Sequence, residues 1–483
     1  MSCQDSPVNA SPDWGRLGLV NAFDPVYPAE RRTSVPCCGA TSPSLSSRPE
    51  TTGFSRRGFM TGNTVVLGLQ WGDEGKGKVI DLLSDKTDLV VRCQGGANAG
   101  HTVVVGERKV VLHLLPSGAL HEGALCIIGN GVVVDPAALL HELADLGPAG
   151  EQLAGRLHIS DRAHLVMPWH KALDAATETS KGAAKVGTTL RGIGPAYGDK
   201  IARTGLRCGE LRNLAAFEQR LRAQLALVNR QLTLFGAELL PVEATIATVL
   251  ADCQRIAAFV ADTTTILHDA VAAGKMILFE GAQGILLDID YGTYPFVTSS
   301  NTGIGGVITG AGVSHKEVGQ VVGIVKAYTT RVGSGAFPTE LPDPAGTALR
   351  ERGGEFGATT GRPRRCGWID LVALRFACRL NGVDRIALTK LDVLTSEERI
   401  GVCTGYRLDG NVIDTVPGCH EDFARVEPVI EYLPGWSEDI RRCRDYAKLP
   451  KAAQDYVTYL EKAIGVPVSW IGTGPGRDEI IVR

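Results

Sequence analysis

The chain has 483 residues, 44% hydrophobic and 21% charged, the make-up of an ordinary soluble globular protein with room for one large domain or two to three average ones. Fifty Lys and Arg against 53 Asp and Glu leave a net charge of −3, so no global basic field points to nucleic acid or a membrane surface. No apolar run approaches membrane-spanning length, and the 12 cysteines include no C-x-x-C pair, which argues against zinc and for small, reduced core residues.

Residues 1–60 are rich in Ser, Pro, Gly and Thr, as in "NASPDWGRLG", and lack periodicity. Such a segment buries too little apolar surface to offset its ordering entropy. It reads as a disordered extension, or as an upstream start with translation beginning at Met60. "SRRGF" (Ser55 to Phe59) has only a superficial likeness to a twin-arginine signal. Asp5, Asp13, Asp24, Glu30 and Glu50 count against a transit peptide.

From Thr64 onward the pattern is α/β, and 61–483 reads as one large domain. "TVVLGL" is a buried strand, followed by a glycine turn and the helix opening "KGKVIDLLS". Further β-branched runs follow: "DLVVRC", "KVVLHLL", "LCIIG", "MILFEG", "QVVGIVKAY", "RIALTKLD" and "VPVSWIG". Helical patterns between several of them favour a mainly parallel central sheet. The clearest helix spans about Leu211 to Phe235, where Leu211, Leu214, Phe217, Leu221, Leu225, Val228, Leu232 and Phe235 form one apolar stripe. "RLDGNV" (Arg407 to Val412) reads as a hairpin turn.

The loop Gly72-Asp-Glu-Gly-Lys-Gly77-Lys78-Val79 nearly fits the phosphate-binding pattern G-x-x-x-x-G-K-[ST]. Glycines turn backbone N–H groups inward and the helix N-terminus adds partial positive charge. The last position is Val79, so the hydroxyl that normally holds Mg²⁺ is missing. Asp73 is the nearest hard oxygen donor, and a carboxylate beside phosphate becomes favourable once a divalent cation lies between them. Farther on, "ALTKLD" ends a strand with T-K-x-D, similar to the guanine-reading signature of GTP-binding proteins. A carboxylate at Asp392 accepts from both the ring N–H and the exocyclic amine of guanine, and adenine has no such donor pair. Lys390 would lay its aliphatic stem along the purine.

Together with these two motifs, "CQGGANAGHT", "VGTTLRGIGPAYGDK", "FEGAQGILLDIDYGTYPFVTSSN" and "EFGATTGRPRRCGWID" resemble the adenylosuccinate synthetase family, in the family's order from Thr64 to the C-terminus. The resemblance implies a large α/β domain on a mainly parallel sheet, working as a cytoplasmic homodimer. It implies a ligase of AMP biosynthesis that joins IMP to L-aspartate with GTP and one Mg²⁺ per subunit, releasing GDP and phosphate through a 6-phosphoryl-IMP intermediate.

It also implies roles. Asp73 matches the general base and His101 the general acid, with Lys76 and Gln283 beside them. Asp73 and the carbonyl of Gly100 match the metal contacts. The GTP site takes Gly72, Asp73, Glu74, Gly75, Lys76, Gly77, Lys78, Gly100, His101, Thr102 and Arg364. Its guanine end takes Lys390, Leu391, Asp392, Gly472, Thr473 and Gly474. The IMP site takes Asp73 to Lys76, Asn98, Ala99, Gly100, His101, Thr189, Gln283, Thr298 and Arg362, with Arg203 reaching in from the neighbouring subunit. The segment Ala358, Thr359, Thr360, Gly361, Arg362, Pro363, Arg364 resembles the mobile loop that captures aspartate carboxylates. Pro363 and Gly472 depart from the family's more usual arginine and serine. Two other readings suit parts of the pattern: a GTP-driven switch, which leaves the IMP and aspartate segments without purpose, and a small-molecule P-loop kinase, against which Val79 argues.

Overall fold

A computed structural model describes residues 62–105, 108–182, 185–357 and 361–483. The expected disordered extension of residues 1–60, and Ala358, Thr359 and Thr360 of the aspartate loop, lie outside the described residues.

The β-branched runs assemble into a ten-stranded sheet. Its order is Ile480–Val482, Val468–Gly472, Arg385–Thr389, Gln320–Lys326, Thr64–Gly68, Ile277–Glu280, Leu89–Arg92, Leu125–Ile128, Leu157–Ser160, Val260–Ala261. Every pairing is parallel except that of the edge strand Ile480–Val482 with Val468–Gly472. Thr64–Gly68 lies in the middle, with Val65 opposite Phe279 on one side and Val321 on the other. All five of its residues are buried, as a strand covered by helices on both faces requires. The expected α/β architecture is therefore present.

Two expectations need correction. "KVVLHLL" does not enter the central sheet. Arg108–Leu112 pairs antiparallel with His101–Val105, with Thr102 opposite Val111. Both runs are short and β-branched, which suits a two-stranded arm as well as an interior strand. The long helix begins at Leu214, where Asn213 accepts the Ala216 N–H at 3.1 Å as N-cap, and ends at Leu234. Leu211 is buried in the preceding turn Cys208–Arg212, and Phe235 is exposed just past the helix end. Phe217, Leu221, Leu225, Val228 and Leu232 form the buried stripe.

The "RLDGNV" hairpin is present: Leu408 pairs with Asn411 around Asp409 and Gly410. Among the described residues, Cys93, Cys126, Cys208, Cys253, Cys366, Cys378 and Cys403 are unpaired and buried. No helix among the described residues is long and apolar enough to cross a membrane.

Candidate active site

In a parallel sheet the strand C-termini share one edge, and ligands bind in the crevice outside it. Here that edge gathers the loops after Gly68, Arg92, Glu280, Lys326, Thr389 and Gly472. They carry most of the site residues picked out in the sequence.

The glycine loop leads into the helix Lys76–Ser84, with Gly75 in the left-handed region at φ 86°. Its two carboxylates have different environments. Glu74 is fully buried and turns back on the loop, accepting from Gln70 N at 3.0 Å and Gly72 N at 2.9 Å. It pairs with buried Lys76 at 2.5 Å. Thr389 Oγ1 donates to the Glu74 carbonyl, tying the loop to the strand that ends in "TKLD". Glu74 thus holds the loop's shape, whereas Asp73 has its side chain 37% exposed. Val79 is wholly buried in the apolar layer beneath the helix, so the position of the missing hydroxyl belongs to the core.

The arm His101–Val105 packs on this helix. A Cβ at Gly77 would lie 2.6 Å from the Thr102 carbonyl, so only glycine allows this approach. The arm sets His101 over the sheet edge. Its Nδ1 meets Glu280, which ends the otherwise apolar strand Ile277–Glu280. Glu280 also accepts from Ser117 N at 2.8 Å and stands 4.0 Å from Arg92. Burial alone would raise the Glu280 carboxyl. His101, Arg92 and Ser117 together outweigh it, and its pKa lies below the usual carboxylate range. Burial lowers the pKa of His101, with Glu280 opposing.

A second carboxylate hub is Glu355. It takes Lys326 at 2.9 Å, Lys390 at 2.8 Å and Arg364 at 2.6 Å, besides the Tyr328 hydroxyl. Burial pushes this carboxyl up, yet three cations hold it well below the usual range. Burial brings Lys326 down to about 8. Arg364 extends from this hub to Asp73, Nε to Oδ2, at 2.9 Å. Arg362 points to the carbonyls of Gly187, at 3.4 and 3.5 Å, and Thr188, at 3.4 Å, next to exposed Thr189. Pro363 forms an extended bridge with Phe356, in keeping with its restricted φ.

At the end expected to take guanine, Lys78 donates to the carbonyls of Gly474 and Glu479, both at 2.7 Å. Burial lowers its pKa to about 8. Thr473 is buried and donates its N–H to the Glu479 carbonyl at 2.9 Å. Asp392 has its pKa raised by burial. Arg203 is exposed at the C-terminus of the helix Ile193–Ala202.

Two independent features coincide with these residues. Buried polar atoms without a hydrogen-bond partner include His101 Nε2, Asn98 Oδ1, Asp392 Oδ1 and both amide atoms of Gln283. Burying an unpaired polar atom costs about 1–3 kcal/mol, so each of these would gain from a polar ligand, although core groups such as Trp169 Nε1 and Trp470 Nε1 are partnerless too. Among the described non-glycine residues, seven have positive φ, and four of these are Asp73, Arg203, Gln283 and Lys390. Each such conformation costs about 1–3 kcal/mol and persists where the surroundings over-determine it, typically at functional sites.

No group of three or more His, Cys, Asp or Glu among the described residues could by itself hold a metal ion. The two expected contacts, the Asp73 carboxylate and the Gly100 carbonyl, are hard oxygen donors of the kind Mg²⁺ takes, and Mg²⁺ completes its shell with phosphate oxygens and water.

Glu280, Glu355, Lys326 and Arg92 were not picked out from sequence. A lone charge ending an apolar strand, as in "ILFE" and "VVGIVK", was the available signal for Glu280 and Lys326.

A family model described as adenylosuccinate synthetase matches residues 65–481. The chain is 53% identical over 421 residues to the adenylosuccinate synthetase of Trichlorobacter lovleyi, covering 87% of this chain and 98% of that one. It is 54% identical over 418 residues to that of Streptomyces griseus, covering 86% and 98%. The fold superposes on fully ligated adenylosuccinate synthetase from Plasmodium falciparum with a TM-score of 0.84 at 40% identity, over 88% of this chain and 100% of that one. With the glycine loop, the His101 arm and the "TKLD" strand on one sheet edge, and the likeness running from Val65 to Ile481, this chain belongs to the adenylosuccinate synthetase family.

Proposed function

We propose that the crevice binds GTP, IMP and L-aspartate and joins the last two into adenylosuccinate, with residues 61–483 acting as the catalytic unit. The observation that carries this reading is the set of buried, partnerless polar atoms on Asn98, His101, Gln283 and Asp392. A GTP switch accounts for Asp392 alone. A nucleotide beside a purine nucleotide accounts for all four.

The O6 of IMP is a poor leaving group. Moving the γ-phosphoryl of GTP onto it makes a good one, which the amine of aspartate then displaces from C6 as phosphate. For the first step N1–H must lose its proton as O6 attacks phosphorus. Asp73 is the base: it is the carboxylate of the loop that is not consumed by internal hydrogen bonds to backbone N–H groups. Its ion pair with Arg364 opens as phosphate takes over the arginine. Glu280 meets His101 Nδ1 and leaves Nε2, buried and without a protein partner among the described residues, for the reacting groups. Burial favours the neutral ring, with the Glu280 carboxylate opposing. An arriving phosphate supplies negative charge, and between it and Glu280 the imidazolium becomes the favoured form. Protonated, the ring can neutralise the phosphoryl oxygens in the transition state. Mg²⁺, when bound through Asp73 and Gly100, would supply further neutralisation of phosphate charge.

Arg362 and Arg364, on the loop resting on Gly187 and Thr188, suit the aspartate carboxylates and GTP respectively. We infer a cytoplasmic homodimer in which Arg203 serves the partner subunit's IMP site. Arg203→Leu should then weaken IMP use. Mixing it with Asp73→Asn subunits should recover activity, because one site of each mixed dimer keeps both residues. Absence of recovery counts against a shared site.

The assay that tests the whole reading is direct. GTP, Mg²⁺ and IMP are supplied with and without L-aspartate, and adenylosuccinate absorbance is followed. Product formation requiring all three substrates is expected. GTP hydrolysis needing neither IMP nor aspartate would favour the switch. For Asp392→Ala, the KM for GTP should rise about tenfold to hundredfold with the preference over ATP reduced, as loss of one buried polar pair implies. Unchanged discrimination between GTP and ATP would remove Asp392 from base reading.

A further inference from the structure

The turn that carries Arg203 is built around Asp199. The helix Ile193–Ala202 ends with Arg203 in the left-handed region, φ 65° and ψ 28°. A residue without glycine's freedom stays there only if its neighbours hold it. The Asp199 carbonyl accepts from Thr204 N at 3.0 Å and Gly205 N at 3.1 Å. Its carboxylate accepts the Thr204 hydroxyl on Oδ1 at 2.9 Å and His170 Nε2 on Oδ2 at 3.0 Å. One residue therefore grips both the backbone and the side chain of the turn and links them to a second helix.

That second helix, Pro168–Ser180, presents His170 in a defined tautomer. Met167 N–H donates to His170 Nδ1 at 2.9 Å, so the ring proton sits on Nε2 and is given to Asp199. His170 is buried, so its own position is fixed by packing. On the other side, Gln224 donates to the Thr204 carbonyl, and Arg220 to the Gly205 carbonyl at 3.4 Å. Gly205 lets the chain pass against His164, whose ring a Cβ there would meet at 2.5 Å. The Arg203 side chain takes no part in these bonds and is exposed. The effort of ordering the turn thus serves a side chain that the turn itself does not use.

We infer that Asp199, held by His170, is a positioning residue of the synthetase reaction: it locks the Arg203 turn so that this arginine is presented in one direction to the IMP of the partner subunit. The inference rests on the proposed shared site. It adds residues of the presenting subunit that touch neither IMP nor GTP. Misplacement of a substrate-holding group by about 1 Å can cost up to about hundredfold. The loss should appear in IMP binding, because Arg203 is expected to meet IMP and not the nucleotide phosphates.

The test is kinetic and uses mixed dimers of the full chain. In Asp199→Ala the KM for IMP should rise about tenfold with kcat and the KM for GTP changed far less, and Asp199→Asn should fall between it and the unaltered protein. Mixing Asp199→Ala with Asp73→Asn subunits should add a component with a normal IMP KM. About one quarter of the sites would then show the normal KM, since half the dimers are mixed and one site in each keeps both functions, while the Asp199→Ala homodimers contribute a further quarter with the raised KM. A defect confined to the altered subunit's own pocket would not be rescued in this way. An unaltered IMP KM in Asp199→Ala overturns the inference. So does failure of that mixture to recover while the Arg203→Leu mixture does recover, an outcome that leaves the shared site standing. If neither mixture recovers, the shared site falls and the inference with it. Should Asp199→Ala not fold, Thr204→Val, which removes only the hydroxyl contact, should still raise the IMP KM about twofold to threefold. No rise in that variant also overturns the inference.

Discussion

Replacing Asp73 by asparagine is expected to lower kcat by about a thousandfold or more, with the fold unaffected. The two effects separate because of where the side chain sits. It is 37% exposed, and its carboxylate meets Arg364 at 2.9 Å. Arg364 is buried but keeps Glu355 at 2.6 Å as a second partner, so loss of the Asp73 charge should move the melting temperature little. Asparagine keeps the shape but cannot take the N1 proton, and it is a weaker ligand for a hard cation. Glu74, one residue on, gives the opposite pattern. Its carboxylate is buried and holds Gln70 N, Gly72 N and Lys76, so Glu74→Gln should reduce stability as well as activity. Steady-state rates beside thermal melts of both variants check the pair. Near-normal turnover in Asp73→Asn would refute the assignment of the base.

His101→Asn is expected to lose about a hundredfold to ten-thousandfold in kcat, with the KM for GTP changed much less. The ring lies on an arm anchored by its own antiparallel pairing, so the arm should persist when the ring is gone. What disappears is the group we assign to the phosphoryl oxygens. Glu280 gives this prediction a pH signature. A carboxylate beside an imidazole raises the imidazole's pKa, and the form of His101 we propose to act is the protonated one. Activity should therefore fall as pH rises through that pKa. In Glu280→Gln the support is removed, and the same fall should move to lower pH. A pH–rate profile that stays put would show that Glu280 only packs against the ring.

Much of the fold was legible because parallel strands buried on both faces are nearly continuous apolar runs. "TVVLG", "MILFE" and "QVVGIVK" stand out for that reason. "KVVLHLL" misled because a short β-branched run reads alike in a sheet interior and in a projecting arm. The start of the long helix was misplaced by a few residues because Leu211 continues the apolar spacing although Asn213 caps after it. Among site residues, the glycine loop and "TKLD" announce themselves by type and spacing. Glu355 does not. Its meaning lies in Lys326, Arg364 and Lys390, which approach from three other segments. Nor does local sequence separate Asp73 from its neighbour Glu74: only the folded loop shows which carboxylate turns inward.

The bonds from Lys78 to Gly474 and Glu479 span 396 and 401 residues. During synthesis the phosphate loop is among the earliest folded segments to leave the ribosome, and its guanine-end partner emerges some four hundred residues later. Contacts of such separation form late, since the intervening chain must first be brought together. If the proposed GTP site uses both ends, its far end is complete only after residue 479 has folded, and GTP-dependent protease protection in a pulse-chase should appear late.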